Sequence, residues 1–420
     1  MVKSMSGGFV VKLIAVMVAS CLISCKATDS STTISANPNK HVAAACALPA
    51  LVDVDQLPVI HELPNPFQGT NGKVIKSKKD WVCRRAEIGA QEEAYQLGAK
   101  PAAPASVMAE MQGENLLVSV TDKGKTASFT AKITYPKTGK APYPAIIGMG
   151  GSWINNEALA KQGVAVIQFP NDAIAEQLNG SSRGKGMFYD LYGKDQATGA
   201  LMAWAWGVSR LIDALETTSA SQINPSRLGI TGCSRNGKGA LVAGAFDERI
   251  KLTIPQESGS GGSASWRVSD DQKALGQNVQ TLAQIVTENV WFADGFKRFA
   301  RSANRLPYDQ HSLMGMVAPR GLLLIENTSM EWLGNRSAYT SALAAREIWR
   351  ALGIEGDFGF SQLGGHNHCQ LPAAQVPEIA AFVQKFLLDG TAANTAIFKS
   401  DEEFALNKET WINWKTPQLK

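Results

Sequence analysis

Residues 232–240 read GCSRNGKGA, and the stretch half-satisfies two motifs with different chemistries. As a phosphate loop, G-x-x-x-x-G-K-[ST], it has Gly232, Gly237 and Lys238 in place. Gly239 then stands where a hydroxyl should hold Mg²⁺. As a nucleophile elbow, G-x-S-x-G, it has Gly232 and Ser234, with Asn236 where the last glycine belongs. Both motifs join a strand to a helix, so the surrounding sequence has to decide.

Short β-rich runs recur around it. Strands are expected at Leu116–Thr121, Phe129–Tyr135, Ala145–Met149, Val164–Phe169, Leu228–Thr231, Leu252–Pro255, Leu322–Glu326 and Phe358–Gln362. The first two flank the hairpin signal DKGK, and the later ones are short apolar runs of the kind buried parallel strands show. Helical patterns lie between them. In residues 200–216, Trp204, Val208, Leu211 and Leu215 make an apolar stripe. In residues 377–388, Pro377 suits a first turn. A hairpin followed by βα units predicts an α/β fold, a mostly parallel central sheet with helices on both faces.

On that fold the elbow reading asks for a base later in the chain. Five histidines are present: His41, His61, His311, His366 and His368. Only GGHNHC, residues 364–369, follows the last expected strand, where a hydrolase of this fold places its base. The phosphate reading lacks a partner Asp at a strand end. Two carboxylates compete for the acid: Glu257 in IPQESGSGG and Glu326 in LLLIEN. Spacing leaves them even.

The termini and cysteines add a compartment. Lys3 precedes an apolar run from Phe9 that ends in Leu22-Ile23-Ser24-Cys25. This run resembles a lipobox, with residues 1–24 as a lipoprotein-type signal peptide and Cys25 as the lipidated residue. An ordinary signal peptide cut near Ala27 is the alternative, and both export the protein. Residues 25–44 read as a flexible tether and 45–420 as one catalytic domain. Cys46, Cys83, Cys233 and Cys369 remain, enough for two disulfides in an oxidising compartment. Cys233 adjoins Ser234 and Cys369 adjoins His368. If serine and histidine meet, Cys233–Cys369 is expected to be bonded, leaving Cys46–Cys83. The chain of 420 residues is 45% apolar, with a net charge of +4 spread along it. That spread gives no argument for nucleic acid, and no cluster of metal-ligand spacing is present.

Taken together, GCSRNGKGA, TIPQESGSGGSASWR, EWLG, GHNHC and FVQKFLL resemble the glucuronoyl esterases, carbohydrate esterase family 15, in their fungal-like branch. The resemblance spans about residues 46–398. It implies an α/β-hydrolase fold and a serine esterase without metal or cofactor. The implied substrate is the ester between 4-O-methyl-glucuronic acid of glucuronoxylan and an alcohol of lignin. By position it makes Ser234 the nucleophile, His368 the base, Glu257 the acid and Arg235 an oxyanion-stabilising residue. Lys238, Gln280, Glu288 and Trp332 become sugar contacts. Gln280 and Glu288, eight apart, would share one side of a helix if their segment is helical. Ser265 stands where fungal relatives often carry a cysteine, so that bridge should be absent. A monomer is expected, touching a membrane only through its lipid. The competing readings are another carbohydrate esterase, such as an acetyl xylan esterase, and a non-catalytic surface glycan-binding lipoprotein.

Overall fold

The computed structural model describes residues 46–391, 393–404 and 408–420. The expected signal peptide, lipobox Cys25 and tether to residue 44 lie outside the described residues.

Ten strands form one sheet: β1 (Ser106–Gln112), β2 (Asn115–Asp122), β3 (Lys125–Thr134), β4 (Tyr143–Met149), β5 (Ala165–Phe169), β6 (Ile223–Cys233), β7 (Ile250–Gln256), β8 (Gly321–Glu326), β9 (Phe358–Gln362) and β10 (Phe398–Ser400). Their order is β1-β2-β3-β5-β4-β6-β7-β8-β9-β10. The pairs β1–β2, β2–β3 and β3–β5 are antiparallel, and every pair from β5–β4 to β9–β10 is parallel. The eight expected strands are all present, with β5 starting one residue later than expected.

Two strands are additional. β1 turns the expected hairpin into a three-stranded meander. It has the burial alternation of an edge strand with no fully covered face, and its Met, Ala, Glu and Gln favour helix on propensity alone. β10 has three residues, too few for any periodicity.

Alternate residues of the parallel strands feed two cores. Ile146, Leu252, Ile254, Leu323 and Ile325 point to one face and pack on Ile379, Phe382, Val383 and Leu387. Those four belong to the helix Val376–Leu387, where Pro377 sits in the first turn as expected. Ile147, Leu322 and Leu324 point to the other face. That face carries the helices α1 (Lys78–Glu92), α2 (Ala200–Thr217) and α3 (Arg235–Phe246). The period-two pattern and the two-sided layering are thus one fact.

In α2 the structure departs from the expected stripe. The helix is buried on nearly every side, not only along Trp204, Val208, Leu211 and Leu215. An outer layer accounts for this: Trp206 packs edge-on against Phe188 and Tyr192, with ring centres 5.5 and 5.4 Å away. Gly207 lets the inner side close, since a Cβ there would lie 2.9 Å from the Phe169 ring.

Candidate active site

The quoted stretch is the turn from β6 into α3. Ser234 sits at its apex with φ 60° and ψ −129°, a backbone region that costs a non-glycine residue roughly 1–3 kcal/mol. The turn is tight because the helix returns directly over the strand. A Cβ at Gly232 would lie 2.4 Å from the Asn236 carbonyl oxygen, and one at Gly237 would lie 2.7 Å from that of Gln256. The second close approach therefore falls at 237, one place after the usual glycine. Asn236 is free to carry a side chain, and its Oδ1 accepts from Asn171 Nδ2 at 3.2 Å. The Ser234 N–H is fixed by the Gln256 carbonyl at 2.9 Å.

Glu257, one residue beyond β7, also has positive φ, at 45°. The turn drives its side chain into the interior, where it is fully buried. Its Oε2 accepts from His368 Nδ1 at 2.7 Å, from the Cys369 N–H at 3.0 Å and from Asn327 Nδ2 at 3.3 Å. The carboxylate thereby fixes the ring nitrogen that bears the proton and leaves His368 Nε2 as the acceptor, as a general base requires. Cys369 is likewise left-handed, with φ 63°.

Cys233 and Cys369 are bonded, with Cα atoms 5.7 Å apart, and Cys46–Cys83 is the second bridge at 5.4 Å. One ring nitrogen of His368 lies within 4.8 Å of both Cys233 Sγ and Cys369 Sγ. This trio is no metal centre, because disulfide sulfurs offer no thiolate.

The other expected acid behaves differently. Glu326 ends β8, fully buried, and lies near Ser258, whose Oγ makes a long contact at 3.5 Å, and Ser263. Burial pushes its carboxyl up to about 8, and Glu257 nearby adds to the rise. His366 is the second histidine of the loop. It ties that loop down, with Nε2 3.0 Å from the Leu363 carbonyl oxygen and Nδ1 3.3 Å from Asn327 Nδ2.

Arg235 is exposed beside the serine. Lys238, one helical turn on, is only 4% exposed; its Nζ donates to the Ser258 carbonyl at 2.6 Å and lies 5.8 Å above the Trp291 ring. Burial pulls the ammonium down to about 8, while Glu288 and Glu326 oppose the fall.

Gln280 and Glu288 meet, but not along one side of a helix as expected. The helix α4 spans only Leu282–Glu288, and Gln280 precedes its cap. Gln280 lies outside the helix, its N–H on the Trp332 carbonyl at 3.2 Å and its carbonyl accepting from Ser260 Oγ at 2.6 Å. Its Nε2 donates to Glu288 Oε2. Helical side chains lean toward the N-terminus, which brings Glu288 back along the helix. Trp332 is half-buried next to them.

The sequence reading missed three supporting residues. Asn327 clamps Glu257 and the His366 carbonyl together; its position just past a parallel strand was its signal. Ser258 receives Lys238 through its backbone, which no side-chain pattern reveals. Trp291 lies in VTENVWF, indistinguishable by type from core.

The family profile described as "Glucuronyl esterase, fungi" matches residues 118–353. A 4-O-methyl-glucuronoyl methylesterase of Podospora anserina is 50% identical over 365 residues, covering 86% of this chain and 76% of the relative. Among solved structures, the glucuronoyl esterase catalytic domain from Hypocrea jecorina superposes with a TM-score of 0.85. The two are 47% identical, with 89% of this chain and all of the other covered. A serine-to-alanine variant of the Sporotrichum thermophile enzyme, in complex with methyl 4-O-methyl-β-D-glucopyranuronate, superposes with a TM-score of 0.83. It is 44% identical, over 89% of this chain and all of the other.

Proposed function

The chain belongs to the fungal-type glucuronoyl esterases, and on that premise we propose how its own residues hydrolyse a glucuronoyl ester. It is a serine esterase of the α/β-hydrolase fold acting on esters of 4-O-methyl-glucuronic acid. For this chain the acid side of the substrate is a glucuronoyl group of xylan and the alcohol side a lignin alcohol. The observation that carries the assignment of residues is Glu257 Oε2, which accepts from both His368 Nδ1 and the Cys369 N–H beside a strained Ser234.

His368 Nε2 takes the Ser234 proton as Oγ attacks the uronate C6 carbonyl. The carbonyl oxygen becomes anionic. It is met by the Arg235 guanidinium and by the N–H that follows the nucleophile. The C6–alcohol bond breaks, and the alcohol leaves with the proton from His368. Water then attacks the acyl-enzyme, gives a proton to His368, and the uronic acid departs as Ser234 recovers its hydrogen. Glu257 stays ionised and steadies the imidazolium. Lys238, Gln280, Glu288 and Trp332 hold the uronate ring, with Trp332 offering its face and the other three hydrogen-bond groups. Few groups are left for the alcohol, which is therefore loosely selected.

The test compares benzyl glucuronate with an acetylated xylo-oligosaccharide. Only the first should be turned over efficiently, and Ser234→Ala should lower kcat by roughly 10⁴-fold or more. Faster hydrolysis of the acetyl ester, or an unchanged rate in Ser234→Ala, would sink the reading. Residues 1–24 serve as the export signal and 45–420 as one catalytic unit in the same proposal.

A further inference from the structure

Nine large apolar side chains are exposed among the described residues, and five of them fall between residues 48 and 74: Leu48, Leu51, Val52, Val59 and Val74, each 39–52% exposed. They lie on the strip that first enters the domain and on the turn that precedes α1. A disulfide and two hydrogen bonds hold that strip down. Cys46 is bonded to Cys83 of α1, and the Val52 backbone exchanges two hydrogen bonds with the Tyr95 hydroxyl, at 2.8 and 3.1 Å. A depression of about 550 Å³ beneath it is lined by Val52, Pro58 and the Gln68–Gly72 turn, and Gln68 pairs with Val74.

Exposed lysines border the same surface. Lys73, Lys76, Lys78 and Lys79 crowd the start of α1. Lys79 is one helical turn before Cys83, and Lys78 one turn before Val82, which lines a depression with Leu48. Asp80 neutralises Lys73 at 3.1 Å, while Asp53, Asp55 and Glu62 are the acidic groups of the strip. Apolar side chains bordered by lysines match an anionic phospholipid surface.

Two further observations fix the occupant. The strip begins 21 residues after Cys25 (46 − 25), so a lipid there would hold this face within reach of its own bilayer. The depression next to Leu48 also contains Ala245 and Phe246, at the far end of α3 from Ser234. Twelve residues of helix, ~18 Å, separate them.

We infer that the Leu48–Lys79 face docks on an anionic membrane and points the catalytic serine away from it. The inference rests on the lipobox reading only for delivery, so the two are separated in the test. The mass of the mature N-terminus reads lipidation, and docking is read on the mature chain carrying Cys25→Ser, without lipid.

That chain should co-sediment with phosphatidylglycerol vesicles and stay in solution with phosphatidylcholine ones. Leu51→Asp with Val59→Asp should reduce the bound fraction roughly tenfold, and so should Lys76→Glu, Lys78→Glu and Lys79→Glu together. Hydrolysis of a soluble glucuronate ester should be unchanged in every variant and undiminished on vesicles. Equal sedimentation with and without vesicles overturns the inference. So does self-association of the chain through this face, or inhibition on binding.

Discussion

Two buried carboxylates, Glu257 and Glu326, lie at the ends of adjacent strands, and only Glu257 meets the histidine. Glu257 accepts from a ring N–H, a backbone N–H and an amide. Glu326 touches no histidine, and burial pushes it up to about 8 although Ser263 and the Ser258 backbone oppose the rise. Glu257→Gln should therefore lower kcat by roughly 10³- to 10⁴-fold with little change in KM, because the amide cannot hold the tautomer. Glu326→Gln should keep most of the activity, its amide replacing a neutral acid. Steady-state kinetics on benzyl glucuronate decides, and a larger loss in Glu326→Gln would transfer the acid role. Arg235 and Lys238 stand at the positive end of α3, which opposes cations. Their retention there is explained by an oxyanion and a sugar more readily than by folding.

At the level of elements, the site is a junction of three strand-to-loop turns: after β6, after β7 and after β9. The disulfide joins the first to the third across 136 residues of sequence. Replacing Cys369 by Ser frees the loop that carries His368 and should cost about 5 kcal/mol of stability, the chain-entropy value for so long a loop. It should also lower kcat, because His368 would lose its covalent positioning. Denaturant titration reads the first effect and kinetics the second; unaltered kcat would show that Glu257 and Asn327 suffice to hold the base.

The parallel strands were legible because buried apolar runs are short and bounded. The pairing of Cys233 with Cys369 was legible because each adjoined a residue with a chemical role, and Cys46–Cys83 was the pair that remained. The meander's first strand was hidden, since its residues suit a helix and neither face is covered. The course of Gln280 was hidden too. It depends on the carbonyl of Trp332, 52 positions away (332 − 280), and backbone contacts leave no side-chain signature.

For the whole molecule, buried titratable groups give stability a pH profile. Glu326 has a folded pKa above its usual 4.5, so its contribution is complete below that value and is lost as pH rises through about 8. Glu92, fully buried and pushed well above the usual range, acts with the same sign. Lys238 is depressed from 10.5 to about 8, so its contribution is present above 10.5 and is lost as pH falls through about 8. Fully buried His311, pulled down to about 4, opposes this only up to pH 6.5, so stability should decline from pH 5 to pH 8 by about 2 kcal/mol or more, and the melting temperature with it. Glu326→Gln should flatten part of that decline, and calorimetry across the range checks it. An unchanged slope would mean Glu326 is ionised throughout.

The covalent tie between the serine and histidine loops also bears on survival among proteases. The turn at residues 273–278 is exposed and lies between the two half-cystines, so a protease that nicks it severs the chain without separating its catalytic halves. The nicked protein runs as one molecule until it is reduced, and Ser234 and His368 stay on one covalent body.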